Sequence, residues 1–357
     1  MNGLLMAAAL TVTSNNNFET TVEEMRTEQS VPGVSAVVTL GDKILYAGAS
    51  GVADINTDRP MTVNTVVYAG SLSKVFTSTL ILQLVEQNKL SLNDPVSEIA
   101  IQPGDNSPEI TVAHLLTHAG GLEREGDFGY WFSGEFPDRA ALSRYLLSAE
   151  LREPPGRSLH YSNVGYAKLG LIVEAVEGRP YHDVLRSELL EPLGMASSGA
   201  PGPIEGIARG YTPVGRLIPD QQRPFTGVGR AVDDRHLREY HDAKAMTPAF
   251  GIYASALDLS RLTRFLLGHG GDEVLSTTMR ERMRSRQPSG WGLGLKLGTL
   301  DGRSVARHEG WFAAHRSHML LDFKADISIV VMTNSDSGKP AEIAEALHKL
   351  VLNAGLN

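Results

Sequence analysis

The hydrophobic positions change period along the chain. Across residues 18–29, Phe18, Val22 and Met25 recur on one face of a 3.6-residue repeat, and Asn17 stands where it can cap the first turn, which predicts a helix. Residues 33–40 and 43–50 are dense in apolar and β-branched side chains and meet at Gly41-Asp42, which predicts a hairpin. The middle of the chain returns to helical spacing over residues 72–87, 112–118, 139–149, 164–177 (stopped by Gly178) and 182–190, with Pro- and Gly-bearing loops between. Residues 200–247 are polar, carry Pro and Gly, and show little periodicity, so they read as a long inserted loop. A helix is expected over 256–267 and strands over 292–300, 303–307, 317–323 and 327–333. The chain closes on an amphipathic helix over 341–354, with Ile343, Leu347, Leu350 and Val351 on one stripe.

Strand-rich ends thus bracket a helix-rich middle. The packing solution is an α+β fold in which both ends build one antiparallel sheet, residues 18–60 plus 248–357, flanked by helices. A mainly helical domain, residues 61–247, is inserted into it and includes the polar loop. A chain of 357 residues with 42% hydrophobic and 21% charged residues has ordinary globular composition and can bury a substantial core. The net charge of −8, without Lys/Arg runs, argues against a nucleic-acid partner. The absence of cysteine excludes disulfides and a thiolate nucleophile. No apolar run reaches the ~18–20 residues of a membrane span. Met1 to Thr13 are small and apolar like part of a signal-peptide core, but lack a basic lead and a clear cleavage site. A frayed end, a boundary within a longer precursor and an export signal all fit, so the compartment stays open.

Chemistry concentrates at Ser71-Leu72-Ser73-Lys74, at the start of an apolar helical run. Residues i and i+3 share a helix face, so the Lys74 amine can sit near the Ser71 hydroxyl. A hydroxyl attacks only when a base takes its proton, and a desolvated lysine can be that base. Two further groups follow in order: Tyr161-Ser162-Asn163 before a predicted helix, and His308-Glu309-Gly310 at the end of a predicted strand.

These three groups resemble the Ser-x-x-Lys, Tyr-x-Asn and Lys/His-x-Gly motifs of the serine β-lactamase and penicillin-binding-protein superfamily, in its class C-like branch. That branch holds class C β-lactamases, D-peptidases and family VIII carboxylesterases. The segments ITVAHLLTHAGGL (110–122) and YSNVGYAKLGLIVEAVEGRPYHDVLRSELLEPLGM (161–195) extend the likeness, which covers roughly residues 18–355. The resemblance implies a β-lactamase-like fold and a serine hydrolase working through a covalent acyl-enzyme. Ser71 would be the nucleophile. Lys74 and Tyr161 would share the proton transfers, with the choice of base open. Asn163 would bond Lys74 or the substrate amide, and His308 and Gly310 would line the substrate edge. The backbone N–H groups of Ser71 and Trp311 would form the oxyanion hole. Histidine stands at position 308 where class C β-lactamases usually carry lysine, and the class A Ser-Asp-Asn motif is absent. These departures favour a D-amino-acid or peptide substrate over efficient antibiotic hydrolysis. A carboxylesterase with weak β-lactamase activity is the alternative, and a catalytically silent binding or scaffold relative is a third reading.

Other candidates carry two readings each. Arg316, in the expected turn after Gly310, offers a guanidinium for a substrate carboxylate or a surface ion pair. His114 and His118 lie four apart but lack the His-Glu-x-x-His pattern, and His315 and His318 should face opposite sides of a strand, so neither pair is expected to bind metal. Gly292 and Gly294 open no helix, which argues against a nucleotide loop. Tyr130, Trp131, Phe132 and Phe136 suit a pocket wall or a core anchor. The expected partner is a small-molecule or peptide substrate, with no cofactor.

Overall fold

The computed structural model describes residues 17–99, 110–130, 134–202, 204–213, 228–232, 235–238 and 242–355. The strands, in chain order, are β1 (Gly33–Leu40), β2 (Lys43–Asp54), β3 (Arg59–Pro60), β4 (Val66–Tyr68), β5 (Gly210–Pro213), β6 (Val228–Val232), β7 (Arg235–Arg238), β8 (Tyr253–Ser255), β9 (Lys296–Leu300), β10 (Arg303–Phe312), β11 (His315–Asp322) and β12 (Ile327–Thr333). The longer helices are α1 (17–28), α2 (Ser73–Glu86), α3 (Arg139–Ser148), α4 (Asn163–Glu177), α5 (Ala256–Leu267) and α6 (Pro340–Asn353). No helix among the described residues is long and apolar enough to cross a membrane.

Seven strands form one antiparallel sheet in the order β3-β2-β1-β12-β11-β10-β9. The two ends of the chain meet at its centre, where β1 pairs with β12 from Val34↔Thr333 to Leu40↔Ile327. Side chains on a strand alternate between faces, and here both faces are covered. Val34, Ala36, Val38, Ile327, Ile329 and Val331 point into one core, shared with Phe18 and Val22 of α1 and Ile343, Leu347 and Val351 of α6. Val37, Val330, Met332 and Met319 point into the other, shared with α2, α4 and α5. Covering both faces explains why β1 and β12 read as continuous apolar runs.

The antiparallel sheet flanked by helices agrees with the expected fold class. Several boundaries differ from the expectations for physical reasons. The strand expected over 303–307 runs on to Phe312, so His308-Glu309-Gly310 lies inside β10, with His308, Gly310 and Phe312 buried and Glu309 exposed. The turn that follows is Ala313-Ala314, both at positive φ (49° and 60°), and Arg316 therefore sits on β11 rather than in a turn. β9 begins at Lys296, not at Gly292, because Gly294 turns the chain at φ 91°. Within residues 200–247, β5, β6 and β7 form a small antiparallel sheet in the order β5-β7-β6, whose strands of 4–5 residues are too short to show a period. Met1 to Thr13, Trp131 and Phe132 lie outside the described residues.

Candidate active site

The site begins where two backbones nearly touch. After β4 the chain turns at Gly70 (φ 57°) into a single 3₁₀ turn, Gly70–Leu72, that leads into α2 and carries Ser71. A Cβ on Gly70 would lie 2.3 Å from the Trp311 nitrogen, and a Cβ on Gly310 would lie 2.0 Å from the Ala69 oxygen. Only glycine fits at either place. The Ser317 hydroxyl on β11 donates to the Ala69 carbonyl at 2.7 Å and pins the same approach. The sheet edge thereby brings the Trp311 amide beside the Ser71 turn, and the Trp311 indole is anchored by Nε1 donating to Asp336 at 2.5 Å.

One helical turn on, Lys74 is fully buried. Its Nζ lies 2.7 Å from Asn163 Oδ1, 2.7 Å from the Ala249 carbonyl and 3.2 Å from Ser71 Oγ. Burial pushes the amine well below its ordinary value of 10.5, with Glu125 opposing that shift and Arg124 adding to it. A neutral amine has two N–H groups, which the two short contacts accept, leaving its lone pair for the Ser71 hydroxyl. The Ala249 carbonyl is itself held in place. Ser73 Oγ accepts from the Ile252 N–H at 3.0 Å, and Thr77 Oγ1 donates to the Pro248 carbonyl at 2.7 Å.

Tyr161 and Asn163 come from the start of α4. Ser162 caps that helix by accepting from the Gly165 N–H at 2.9 Å and donates to the Glu123 carbonyl at 2.8 Å. Burial raises the Tyr161 pKa above the usual phenol value, and the neighbouring Ser71 hydroxyl opposes that rise. Lys74 Nζ stands 4.9 Å and the Arg124 guanidinium carbon 5.4 Å from the Tyr161 ring centre. His118 stacks on the same ring at 4.2 Å and accepts the Ser162 N–H at its Nδ1.

His308 faces the helices from β10, buried and held neutral. Burial above all lowers its pKa to about 3. Its Nδ1 donates to the Glu309 carbonyl at 2.9 Å, which leaves Nε2 as an acceptor. Ser71, Tyr161, Asn163 and His308 line one cavity of about 280 Å³, and Gly310 and Arg316 line it too. The structure therefore brings together all the residues expected at the site.

The cavity also holds Trp291, Arg124 and Lys296, which the sequence did not single out. Trp291 packs edge-on against His118 (4.8 Å) and His308 (5.7 Å). Its loop reaches in because Gly294 lets the backbone meet α2, where a Cβ would lie 2.1 Å from Ser78 Oγ. No spacing rule could have found these residues, since separate loops bring in Arg124 and Trp291 and the start of β9 brings in Lys296. Of the other histidines that the sequence singled out, His114 closes a capping box with Thr111, His315 Nε2 donates to the Ala208 carbonyl, and His318 is buried on the opposite face of β11 from His315. Tyr130 and Phe136 stack at 4.9 Å in the core beneath the site.

Known proteins with the same build are of several kinds. Penicillin-binding protein 4 of Amycolatopsis lactamdurans is 27% identical over 339 residues, spanning 87% of this chain and 83% of its own. Esterase EstB of Burkholderia gladioli is 28% identical over 374 residues, spanning 93% and 92%. The octameric penicillin-binding protein homologue from Pyrococcus abyssi superposes with a TM-score of 0.79 at 25% identity, covering 95% of this chain and 77% of that one. The D-amino acid amidase from Ochrobactrum anthropi SV3 shares the fold, with a TM-score of 0.81 at 22% identity, covering 96% and 99%. The family model described as Beta-lactamase matches residues 18–353, and this chain belongs to that family of serine hydrolases.

Proposed function

We propose that the protein hydrolyses an amide or ester through an acyl-enzyme on Ser71, and that its preferred substrates are peptide-type or D-amino-acid amides bearing a carboxylate. The sheet portion (18–60 plus 248–357) and the helical portion (61–247) form the two walls of the cleft. Neutral Lys74 takes the Ser71 proton as Oγ attacks the substrate carbonyl carbon. The carbonyl electron pair moves to oxygen, where the Ser71 and Trp311 N–H groups face it. As the intermediate collapses, the leaving amine or alkoxide takes the Tyr161 phenolic proton, and the Lys74 ammonium restores it. Water then attacks the ester, its proton passes through Lys74 to the departing Ser71 Oγ, and the acid is released.

The substrate preference rests on one observation: Arg124, Lys296 and Arg316 share the cavity with Ser71, against the single acid Glu309. Cations at a cleft favour an anionic group on the ligand. A carboxylesterase is the second reading, supported by the likeness to Esterase EstB along nearly the whole of both chains. Parallel assays with p-nitrophenyl butyrate and D-aminoacyl anilides that carry a carboxylate on the anilide ring test the choice, together with Arg316→Ala. The preference requires turnover of the anilides and a larger loss for carboxylate-bearing substrates than for neutral esters in the variant. Turnover of esters alone would reassign the protein to the second reading. A fluorophosphonate that labels the folded protein but not Ser71→Ala is expected, and absence of that label would leave only a silent binding role.

A further inference from the structure

Accepting Lys74 as the base, we propose that Glu125 is a positioning residue for catalysis, acting through Asn163 to fix which end of the Asn163 amide meets Lys74. Asn163 Nδ2 lies 2.9 Å from both Glu125 carboxylate oxygens, and its Oδ1 lies 2.7 Å from Lys74 Nζ. An amide offers a donor end and an acceptor end of nearly equal size, so its own shape does not choose between them. A carboxylate only accepts, so it selects the NH₂ end and turns the oxygen toward Lys74. The amine's N–H is then spent on Asn163 and its lone pair is left for Ser71. With the amide reversed, its NH₂ would compete with the Ser71 hydroxyl for that lone pair.

Glu125 is equipped to hold this orientation. The Tyr130 hydroxyl donates to its Oε2, and Arg124 Nε donates to its Oε1 at 2.9 Å. Tyr130 is buried, and burial and the Glu125 charge keep its phenol protonated as a donor. Its backbone is clamped to the same helix start, since the Asn163 N–H donates to the Arg124 carbonyl at 2.8 Å and Ser162 Oγ donates to the Glu123 carbonyl. Glu125 stands behind Asn163 rather than on the cavity wall, so the line runs Glu125–Asn163–Lys74–Ser71.

The charge has a second effect of known sign. The groups facing Lys74 are Glu125, the Arg124 cation, the neutral rings of His118 and His308, and the phenols of Tyr161 and Tyr166. Glu125 alone among them raises the Lys74 pKa, against burial and Arg124. Removing its charge lowers that pKa further and moves the acid limb of Ser71 reactivity to lower pH.

The test is the rate of Ser71 labelling by a fluorophosphonate across pH, for wild type, Glu125→Gln and Glu125→Asp, with thermal midpoints recorded alongside. Glu125→Gln removes both the charge and the acceptor-only choice of the Asn163 amide end, so its plateau rate should fall about tenfold and its acid-limb midpoint should fall by about one pH unit at the effective dielectric of a protein interior. Glu125→Asp keeps the charge and shortens the reach; its midpoint should stay near wild type while its plateau rate falls about tenfold. An unmoved or raised midpoint in Glu125→Gln overturns the proposal, as does a wild-type plateau in Glu125→Asp. If Glu125→Gln does not fold, the aspartate variant decides alone. Wild-type protein that fails to label at Ser71 would instead overturn the catalytic reading itself, and this proposal with it.

Discussion

Burial acts in opposite senses on the two groups that handle the Ser71 proton. It disfavours the charged form of each, so it lowers the Lys74 ammonium and raises the Tyr161 phenol. Both shifts favour the uncharged form, which supports the proposed assignment of Lys74 as the acceptor and Tyr161 as the donor. Activity should therefore rise with pH as Lys74 loses its proton, with the acid limb well below the ordinary lysine value of 10.5. A pH–rate profile with p-nitrophenyl butyrate checks this, and a limb near the ordinary value would return the base role to another group. Tyr161→Phe should lose about 10²–10⁴-fold in kcat with its thermal midpoint nearly unchanged, since only the hydroxyl is removed. Ser71, Lys74, Tyr161 and His308 were legible because their motifs have fixed local spacing. Glu125, Trp291 and Lys296 were not, because each stands in its own loop or strand end with no neighbour that marks it.

At the scale of elements, the site depends on a strand lying against a turn at backbone distance. β10 was legible only to residue 307, with His308-Glu309-Gly310 placed at the end of the strand. In the structure they keep the alternation: His308 and Gly310 face the helices and Glu309 faces solvent. Gly310 has no side chain because the Ala69 carbonyl occupies the place of its Cβ. Gly310→Ala should therefore push β10 off the Ser71 turn and displace the Trp311 amide. The expected cost is about 10²–10³ in acylation rate, the usual effect of losing one oxyanion donor, with a lowered thermal midpoint. Ordinary rates of Ser71 labelling in a folded Gly310→Ala protein would show that the Trp311 amide is not used.

Across the whole molecule, the chemistry sits on one face of the sheet and a separate core closes the other. Asp322 at the end of β11 ties the parts of the chemically silent side together. It accepts from Arg303 on β10, from His348 Nε2 on α6 at 3.1 Å, and from the Lys324 and Ala325 N–H groups at 3.1 and 3.0 Å. Although burial opposes it, hydrogen bonding led by Arg303 holds the carboxyl below its ordinary value of 3.8. The stability this supplies is complete above the unfolded Asp value and is lost as pH falls through the lower folded value. Asp322→Asn should cost about 3 kcal/mol at neutral pH, and the gap to wild type should begin to narrow only below the unfolded Asp value of about 4, as pH falls toward the lower folded value. Urea unfolding at pH 7 and pH 3 measures both, and a gap independent of pH would remove the carboxylate from the account. Labelling of Ser71 at 25 °C should be unaffected while the protein stays folded.

The amino-acid sequence by itself determined the class of fold, because helical and strand periods are local properties of the side-chain order. It marked the candidate nucleophile and its two candidate partners for the same reason, since each motif lies within four residues. Only the tertiary structure decided what surrounds them. The register of β1 on β12, the passage of Gly310 past Ala69, the cations of the cleft and the carboxylate behind Asn163 all join residues far apart in the chain. Contacts of that kind depend on how whole elements pack, and no local pattern of residues encodes them.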